Sequence, residues 1–236
     1  MCRESPMPNH NDPPAPAAPG RMRCRLLALL CAFLLSGCFY SVYSTQEHRN
    51  LDLTIKDLQQ HGIAFITPSS ITGKEQDRQA LALTFAQVLR KKRPEMRVVT
   101  LSETLGALNR ADMLAAYKAM YEDYSDTGIF SRAMLKKISE LTGSRYLAQL
   151  KLSGFDQNST ERFGVFGLRL VETKRAYLRI FLQIWDGQEG EIVWEGYEEV
   201  CMARETPSEK GVMFYDVART IAERMVGSIP ENPTAR

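Results

Sequence analysis

Residues 176–195 read AYLRIFLQIWDGQEGEIVWE, and this stretch decides the fold that we expect. Apolar residues occupy every second position from Ala176 to Ile184, which is the period of a β-strand with one buried face. The segment from Asp186 to Gly190 is rich in glycine and polar residues, a composition typical of a turn. A second run of β-branched and aromatic residues follows it. The stretch therefore predicts an antiparallel β-hairpin.

The opposite face of the first hairpin strand is aromatic and polar. Tyr and Trp side chains are frequent at the centres of protein interfaces. The candidate partner-binding residues on this face are Tyr177, Arg179, Phe181 and Trp185. A helix packed on the same face would instead make these side chains part of the core, and the sequence leaves both interpretations open.

The segment before the hairpin predicts a βαβ unit. The apolar run 62–68 is typical of a buried strand, and Thr72 with Glu75 forms a capping box at the start of a helix. A second strand is predicted over 96–101, which implies parallel pairing with the first. Residues 102–143 are predicted to be helical, because their apolar positions recur at helical spacing.

The remaining elements complete a single domain. Residues 148–153 alternate as a strand, whereas 163–175 fits either a bulged strand or an irregular inserted segment. A capping box over 206–209 predicts the start of a closing helix, with an apolar face over 214–225. The predicted fold class is α/β with a mixed α+β sheet: a βαβ unit, a helical middle, an antiparallel β-hairpin and a closing C-terminal helix within residues 51–229.

The N-terminal region has the organisation of a secretory signal. Arg21, Arg23 and Arg25 precede the apolar run 26–35, and the sequence LSGC follows at 35–38. The run is about half of the ~20 residues that a transmembrane helix needs. The order of these features resembles the lipobox of bacterial lipoproteins, in which the cysteine becomes the lipidated first residue.

This resemblance sets the expected boundaries at the two ends of the chain. Residues 1–37 are the predicted signal peptide, of which 1–21 are expected to be a mis-called start. Cys38 is the predicted lipidation site, 38–50 the predicted lipidated tether without regular structure, and 230–236 a predicted disordered tail.

Composition and residue types argue against several functions. Four of the 30 basic and two of the 28 acidic residues lie before Cys38, so the rest of the chain has 26 of each and no electrostatic case for nucleic-acid binding. Beyond Cys38 the one cysteine is Cys201, so no intramolecular disulfide is expected once Cys38 is acylated. His48 and His61 lack partners at metal-ligand spacing, and the triplet 126–128, Asp-Thr-Gly, lacks the second copy that aspartic proteases need. We expect no catalytic residues, no metal and no cofactor.

The hairpin also carries a family resemblance. Asp186, Gly190 and Trp194 match a pattern Asp-x-x-x-Gly-x-x-x-Trp that is common in envelope lipoproteins related to the curli secretion channel. The order of the predicted elements is similar too, and the N-terminal domain of the Tol translocation protein and the lipoprotein activators of peptidoglycan synthases share that general α/β fold. The resemblance implies a membrane-anchored, non-enzymatic module that binds or assembles another envelope protein.

The same resemblance leaves an alternative and suggests a location. A subunit of an oligomeric outer-membrane secretion channel would need transmembrane strands of about 9–11 alternating residues, and 163–175 is too short and irregular to supply a pair. Phe39 follows the lipidated cysteine, where an Asp commonly marks inner-membrane lipoproteins. We therefore expect an anchor in the outer membrane, on its periplasmic face.

Overall fold

Seven strands and six helices form within residues 40–70, 75–165, 168–206 and 211–229, the part of the chain that the computed structural model describes. The predicted signal 1–37, the lipidation site Cys38, the capping residue Thr72 and the tail 230–236 lie outside it. The strands are β1 (Tyr40–Asn50), β2 (Ile63–Phe65), β3 (Ser69–Ser70), β4 (Val98–Val99), β5 (Tyr146–Val165), β6 (Leu168–Asp186) and β7 (Ile192–Thr206). The helices are α1 (Ile55–His61), α2 (Glu75–Lys92), α3 (Leu101–Arg110), α4 (Leu114–Thr127), α5 (Arg132–Thr142) and α6 (Phe214–Ser228).

The strands form one mixed sheet. Their order is β1-β7-β6-β5-β2-β4, and β3 pairs with β5 beside this path. Strand β2 runs parallel to β4 and to β5, whereas β5, β6, β7 and β1 are paired antiparallel. The βαβ unit, the helical middle, the hairpin β6–β7 and the closing helix are all present, so the predicted α/β fold class is confirmed.

The prediction of an irregular tether over 38–50 is wrong for residues 40–50. These residues form β1 and pair with β7 in a continuous register from Tyr40 opposite Arg204 to Asn50 opposite Trp194. Val42 packs against the core, but the other side chains of β1 are mainly polar. The strand is therefore held mainly by backbone hydrogen bonds at a sheet edge. Because these bonds do not depend on side chains, the sequence of β1 shows no alternation of apolar residues.

Two further boundaries differ from expectation or were left open. Residues 163–165 and 168–175 belong to long strands, because β5 reaches Val165 and β6 begins at Leu168, with register irregularities near Leu152 and Phe163. The bulged-strand interpretation is thus correct for the described residues of this stretch. The predicted helix start at 206–209 lies outside the described residues except for Thr206, which ends β7; the described closing helix α6 begins at Phe214.

The first face of the sheet carries the larger core. Every second residue of β6 from Ala176 to Ile184 is buried here, as predicted, and each such apolar side chain contributes about 1.5–3 kcal/mol when fully buried, less for alanine. Helices α2 and α6 pack on this face through Leu81, Phe85, Leu89, Val217, Ile221 and Met225. The alternation of β6 therefore specifies which face the helices cover.

The second face of the sheet is covered by α3, α4 and α5. A second core cluster joins strand residues Ala64, Leu147 and Trp185, with Ile66 directly after β2, to helix residues Leu108, Tyr117, Met120, Leu135 and Ile138. The strand residues come from β2, β5 and the end of β6 that lies next to the hairpin turn. The helices on this face thus sit over one half of the sheet.

The turn of the hairpin is held by Asp186. Its carboxylate accepts hydrogen bonds from the backbone N–H groups of Gln188 and Glu189 at 2.8 and 3.3 Å, and from Arg145 at 2.7 and 2.9 Å. Burial raises the pKa of Asp186, but the hydrogen bonds from Arg145 and the turn outweigh it and the pKa is lowered. Gly190 has a φ of 78°, a conformation that favours glycine.

Glu198 is a buried carboxylate between β7 and α6. Its side chain is 0% exposed, and Nε of Arg224 lies 2.6 Å from Oε1. That contact lacks hydrogen-bond geometry, and neither carboxylate oxygen has a hydrogen-bond partner within the described residues. Burial raises the pKa of Glu198 to about 7, although the charge of Arg224 opposes the shift. The folded state therefore favours a protonated Glu198.

We expect the free energy of unfolding to fall as the pH rises from 5 to 8. The folded state holds a proton on Glu198 up to about pH 7, whereas the unfolded chain releases it near 4.5, so the contribution of the proton is lost through this window. Glu198→Gln should remove roughly 2–3 kcal/mol of this decline, measured by urea unfolding at pH 5, 6, 7 and 8. Glu199→Gln is the control, because Arg179 lowers the pKa of Glu199 and its loss should leave the decline in place. A decline as steep in Glu198→Gln as in the native protein would contradict the assignment.

Candidate functional site

The helices leave half of the second face uncovered. Three of the four candidate residues on β6, Tyr177, Arg179 and Phe181, lie on this uncovered half, and their side chains are partly exposed. Strands β7 and β1 extend the surface, since Phe181 is opposite Tyr197 and Tyr197 is opposite Glu47. We call this surface the open face, defined by Tyr177, Arg179, Phe181, Gln183, Glu195, Tyr197, Glu199, Glu47 and Arg49.

A groove of about 310 Å³ lies on the open face. Its apolar part is a stack of Phe181 and Tyr197, whose ring centroids are 5.4 Å apart with an angle of 25° between the ring planes. Phe181 is 38% exposed, so the stack faces solvent. Glu47, Arg49 and Glu195 also line the groove. The groove therefore combines an aromatic platform with charged side chains of both signs.

Some charged side chains of the open face form ion pairs with each other, and others form none within the described residues. Arg179 donates to Oε2 of Glu199 from Nε at 2.9 Å and from a terminal nitrogen at 2.6 Å. This bidentate pair lowers the pKa of Glu199, and burial with the nearby Glu199 raises the pKa of Tyr177. Among the described residues, by contrast, Glu47 and Glu195 have no ion-pair partner within 4 Å. Two carboxylates beside the aromatic stack are thus available to a ligand.

The expectation that Trp185 lies on a partner surface is wrong. Its side chain is 3% exposed and belongs to the second core cluster. Phe130 contacts it edge-on, with ring centroids 5.3 Å apart and an interplanar angle of 70°. The two interpretations of the aromatic face therefore apply to different parts of one strand: the helices cover Trp185 and leave Tyr177, Arg179 and Phe181 open.

The sequence did not indicate the part of the groove that comes from β1 and β7. Glu47 and Arg49 lie in the segment that was predicted to be a tether, and they reach the groove because β1 pairs with β7. Tyr197 and Glu195 alternate with the buried Trp194, which is a usable period-two signal. Gly196 also lies close to Trp194, since a Cβ on it would meet the indole at 2.6 Å.

Other candidate motifs have structural roles. Thr127 ends α4, and Gly128 follows with a φ of 72° and donates its N–H to the carbonyl of Tyr124 at 2.8 Å. The Asp-Thr-Gly triplet is therefore the end of a helix, as its polar surroundings predict. Across the described ranges, no cluster of three His, Cys, Asp or Glu side chains could hold a metal ion. In the same part of the chain, every helix is too short or too polar to cross a bilayer.

Comparisons with known proteins give solved structures and no sequence relatives. No protein-family model matches the chain, and no curated protein matches it. The chain is similar to the PelC dodecamer from Paraburkholderia phytofirmans, with 12% identity and a TM-score of 0.42 over 83% of this chain and 100% of that one. It is similar to lipoprotein GNA1162 from Neisseria meningitidis, with 9% identity and a TM-score of 0.37 over 70% of this chain and 98% of that one. It is also similar to the LpoB C-terminal domain from Salmonella enterica, with 12% identity and a TM-score of 0.32 over 58% of this chain and 80% of that one. Values this low assign no function to the chain.

Truncation of two aromatic residues on the same side of β6 should have unequal effects on stability. Trp185→Ala should lower the free energy of unfolding by about 3–5 kcal/mol, because it leaves a cavity in a core. Phe181→Ala should cost about 1 kcal/mol or less, since its ring is partly exposed and touches one other ring. Urea unfolding of both variants measures the difference, and equal costs would contradict the division of this strand into core and open face.

Proposed function

We propose that this chain is a lipid-anchored, non-enzymatic binding module of the bacterial envelope that docks a partner protein through the open face. The observation that carries this proposal is the groove itself. Its aromatic stack of Phe181 and Tyr197 is exposed, and two carboxylates beside it lack an ion-pair partner among the described residues. Aromatic side chains are enriched at interface centres, and charged groups at the polar rim fix the orientation of the partner.

The chemistry of the groove favours a partner that inserts a basic side chain. The stem of a lysine or arginine packs well on aromatic rings, and its cationic end is attracted to their faces. Glu47 and Glu195 line the same groove and would pair with the cation. Arg49, on the edge strand β1, would donate hydrogen bonds to an acidic group of the same partner. The preferred ligand is therefore a protein segment with a basic residue beside an acidic one.

The proposed anchor is close to this surface along the chain. Cys38 is separated from Tyr40, the first residue of β1, by Phe39 alone. Glu47 lies seven residues further along the strand, or about 23 Å at 3.3 Å per residue. A lipid on Cys38 would thus hold the groove within reach of the membrane surface and raise its effective concentration for partners there. Phe39 favours the periplasmic face of the outer membrane as the site of anchoring.

The lipid anchor has a direct test in cells. Cys38→Ser should abolish incorporation of radioactive palmitate into the protein and release the domain from the membrane fraction, because the acylated thiol is gone. Cys201→Ser is the matched control and should keep both properties, since Cys201 lies in β7. Palmitate labelling that persists in Cys38→Ser would contradict the anchor.

Docking is tested by site-specific photocrosslinking in the native host. We expect a photoreactive phenylalanine analogue at position 181 or 197 to give a discrete adduct with another envelope protein. The same analogue at Leu83, an exposed position on α2, should give none. Glu47→Lys and Glu195→Lys should each reduce the adduct at position 181 at least fivefold, because they reverse the charge that the partner meets.

The outcomes separate the proposal from its competitor. Adducts of equal yield at positions 181 and 83, or none at 181 and 197, would contradict docking at the groove. Adducts between two copies of this chain would favour a subunit of an oligomeric secretion channel. That second candidate gains one observation, because β5 and β6 continue to Val165 and Leu168 and form a longer hairpin than 163–175 suggested. Light scattering of the detergent-extracted protein gives its mass and decides between one copy and a ring.

A further inference from the structure

A second recess lies at the carboxyl end of β2, apart from the open-face groove. After β2 the chain passes through α2, on the first face, to β4, and then returns through α3, α4 and α5, on the second face, to β5. Strand β5 is adjacent and parallel to β2 and continues beyond its end, where β3 pairs with Lys151 and Leu152. In α/β sheets, ligands commonly bind beyond the carboxyl ends of parallel strands. We call the recess at this place the crevice.

The crevice has the size and charge of a small-anion site. Its volume is about 370 Å³, which lies within the usual range of small-molecule pockets. Arg78 of α2 and Lys151 of β5 line it, together with hydroxyl groups such as those of Ser69 and Ser125. Its described lining includes two cations and no carboxylate. The crevice therefore attracts negative charge, unlike the groove with its two free glutamates.

Arg78 lines the crevice, and its guanidinium is not fully hydrogen-bonded within the described residues. Its Nε atom is buried and has no hydrogen-bond partner among the described residues. A buried donor that is left unpaired costs about 1–3 kcal/mol, and more when the group is charged. The planar guanidinium matches an oxyanion that accepts from two of its nitrogens. An oxyanion in the crevice would pair with the guanidinium of Arg78 and with Lys151.

Two tyrosines, Tyr121 and Tyr124, form another part of the lining, which we call the tyrosine wall. Tyr124 stacks on Phe130 with ring centroids 4.0 Å apart and an angle of 13° between the planes. The hydroxyl of Tyr121 donates to the carbonyl oxygen of Thr67, which fixes the second ring. Burial raises the pKa of both Tyr121 and Tyr124, so their hydroxyls stay neutral and do not repel an anion. The wall therefore suits an uncharged planar group.

Hydrogen bonds hold the segment after β2, part of which lines the crevice. Gln149 of β5 is 1% exposed, and its Nε2 donates to Oγ of Ser69 at 2.9 Å. The hydroxyl of Tyr117 accepts the N–H of Thr67 and donates to its Oγ1, both at 2.9 Å. These hydrogen bonds hold the segment after β2 against α4 and β5. A ligand would thus bind to a preformed surface, without the cost of ordering it.

We propose that the crevice binds a small ligand that carries an oxyanion on a flat ring, such as an aryl phosphate. The oxyanion lies between Arg78 and Lys151, and the ring packs on Tyr121 and Tyr124. This function is separate from partner docking, because the groove and the crevice have different lining residues. The site is formed by α2, α4, β5 and the segment after β2, and it needs neither the anchor nor the partner.

Calorimetric titration of the purified full-length protein with phenyl phosphate tests the site. We expect saturable binding of phenyl phosphate, binding at least tenfold weaker for inorganic phosphate, and none for benzyl alcohol. Arg78→Gln and Lys151→Gln should each weaken binding of phenyl phosphate at least tenfold, because each removes a cation that faces the oxyanion. Ser125→Trp should abolish binding by filling the crevice from an exposed position.

Two variants at exposed cations outside the crevice are the controls for this titration. Arg110→Gln and Lys136→Gln remove exposed cations at other places and should leave the affinity within twofold of the native value. Thermal unfolding of each variant checks that the fold is retained. No binding of phenyl phosphate to the native protein, or native affinity in Arg78→Gln and Lys151→Gln, would overturn the site. Equal affinity for inorganic and phenyl phosphate would overturn the role of the tyrosine wall.

Discussion

The register of β6 is the constraint on which the rest of the domain depends. This strand is hydrogen-bonded to β5 on one side and to β7 on the other along most of its length. Because side chains alternate across a strand, one register buries every second residue from Ala176 to Ile184 under α2 and α6. A shift of one residue would expose that apolar set and bury Arg179 in its place. The turn at Asp186, clamped by Arg145, fixes the register at one end.

The two helical layers are offset, and both candidate sites follow from that offset. Helices α2 and α6 pack over the first face as far as β6 and β7, whereas α3, α4 and α5 pack over β2, β5 and the end of β6. The uncovered strands therefore present the groove on the second face. The crevice forms where the two layers meet at the end of β2. Tyr and Arg side chains suit such a surface, because each combines apolar area with a group that water can solvate.

The sequence was sufficient where a pattern had one physical meaning. Strict alternation and a glycine-containing turn predicted β6–β7, and apolar runs around a helix predicted the parallel pair β2–β4. Alternation says which residues share a face but not what covers that face, so Trp185 could not be told apart from Phe181. Strand β1 is mainly polar, although Val42 packs against the core, and its position is specified by the edge of β7, which no local pattern records. The crevice draws on α2, α4, β5 and the segment after β2, and residues so distant in sequence meet only in the fold.

The edge position of β1 has a mechanical consequence. Its eleven residues pair with β7 along their whole length, and its first residue is the one nearest the proposed anchor. An anchor at Cys38 would pull along the axis of the strand, while a partner held in the groove near its far end would resist. Tension in that direction loads the hydrogen bonds between β1 and β7 side by side, in shear, so that many must break together. A force perpendicular to the strands would instead break the same hydrogen bonds one at a time. A domain tethered in this way can transmit force between a membrane and a bound protein without unravelling from its first strand.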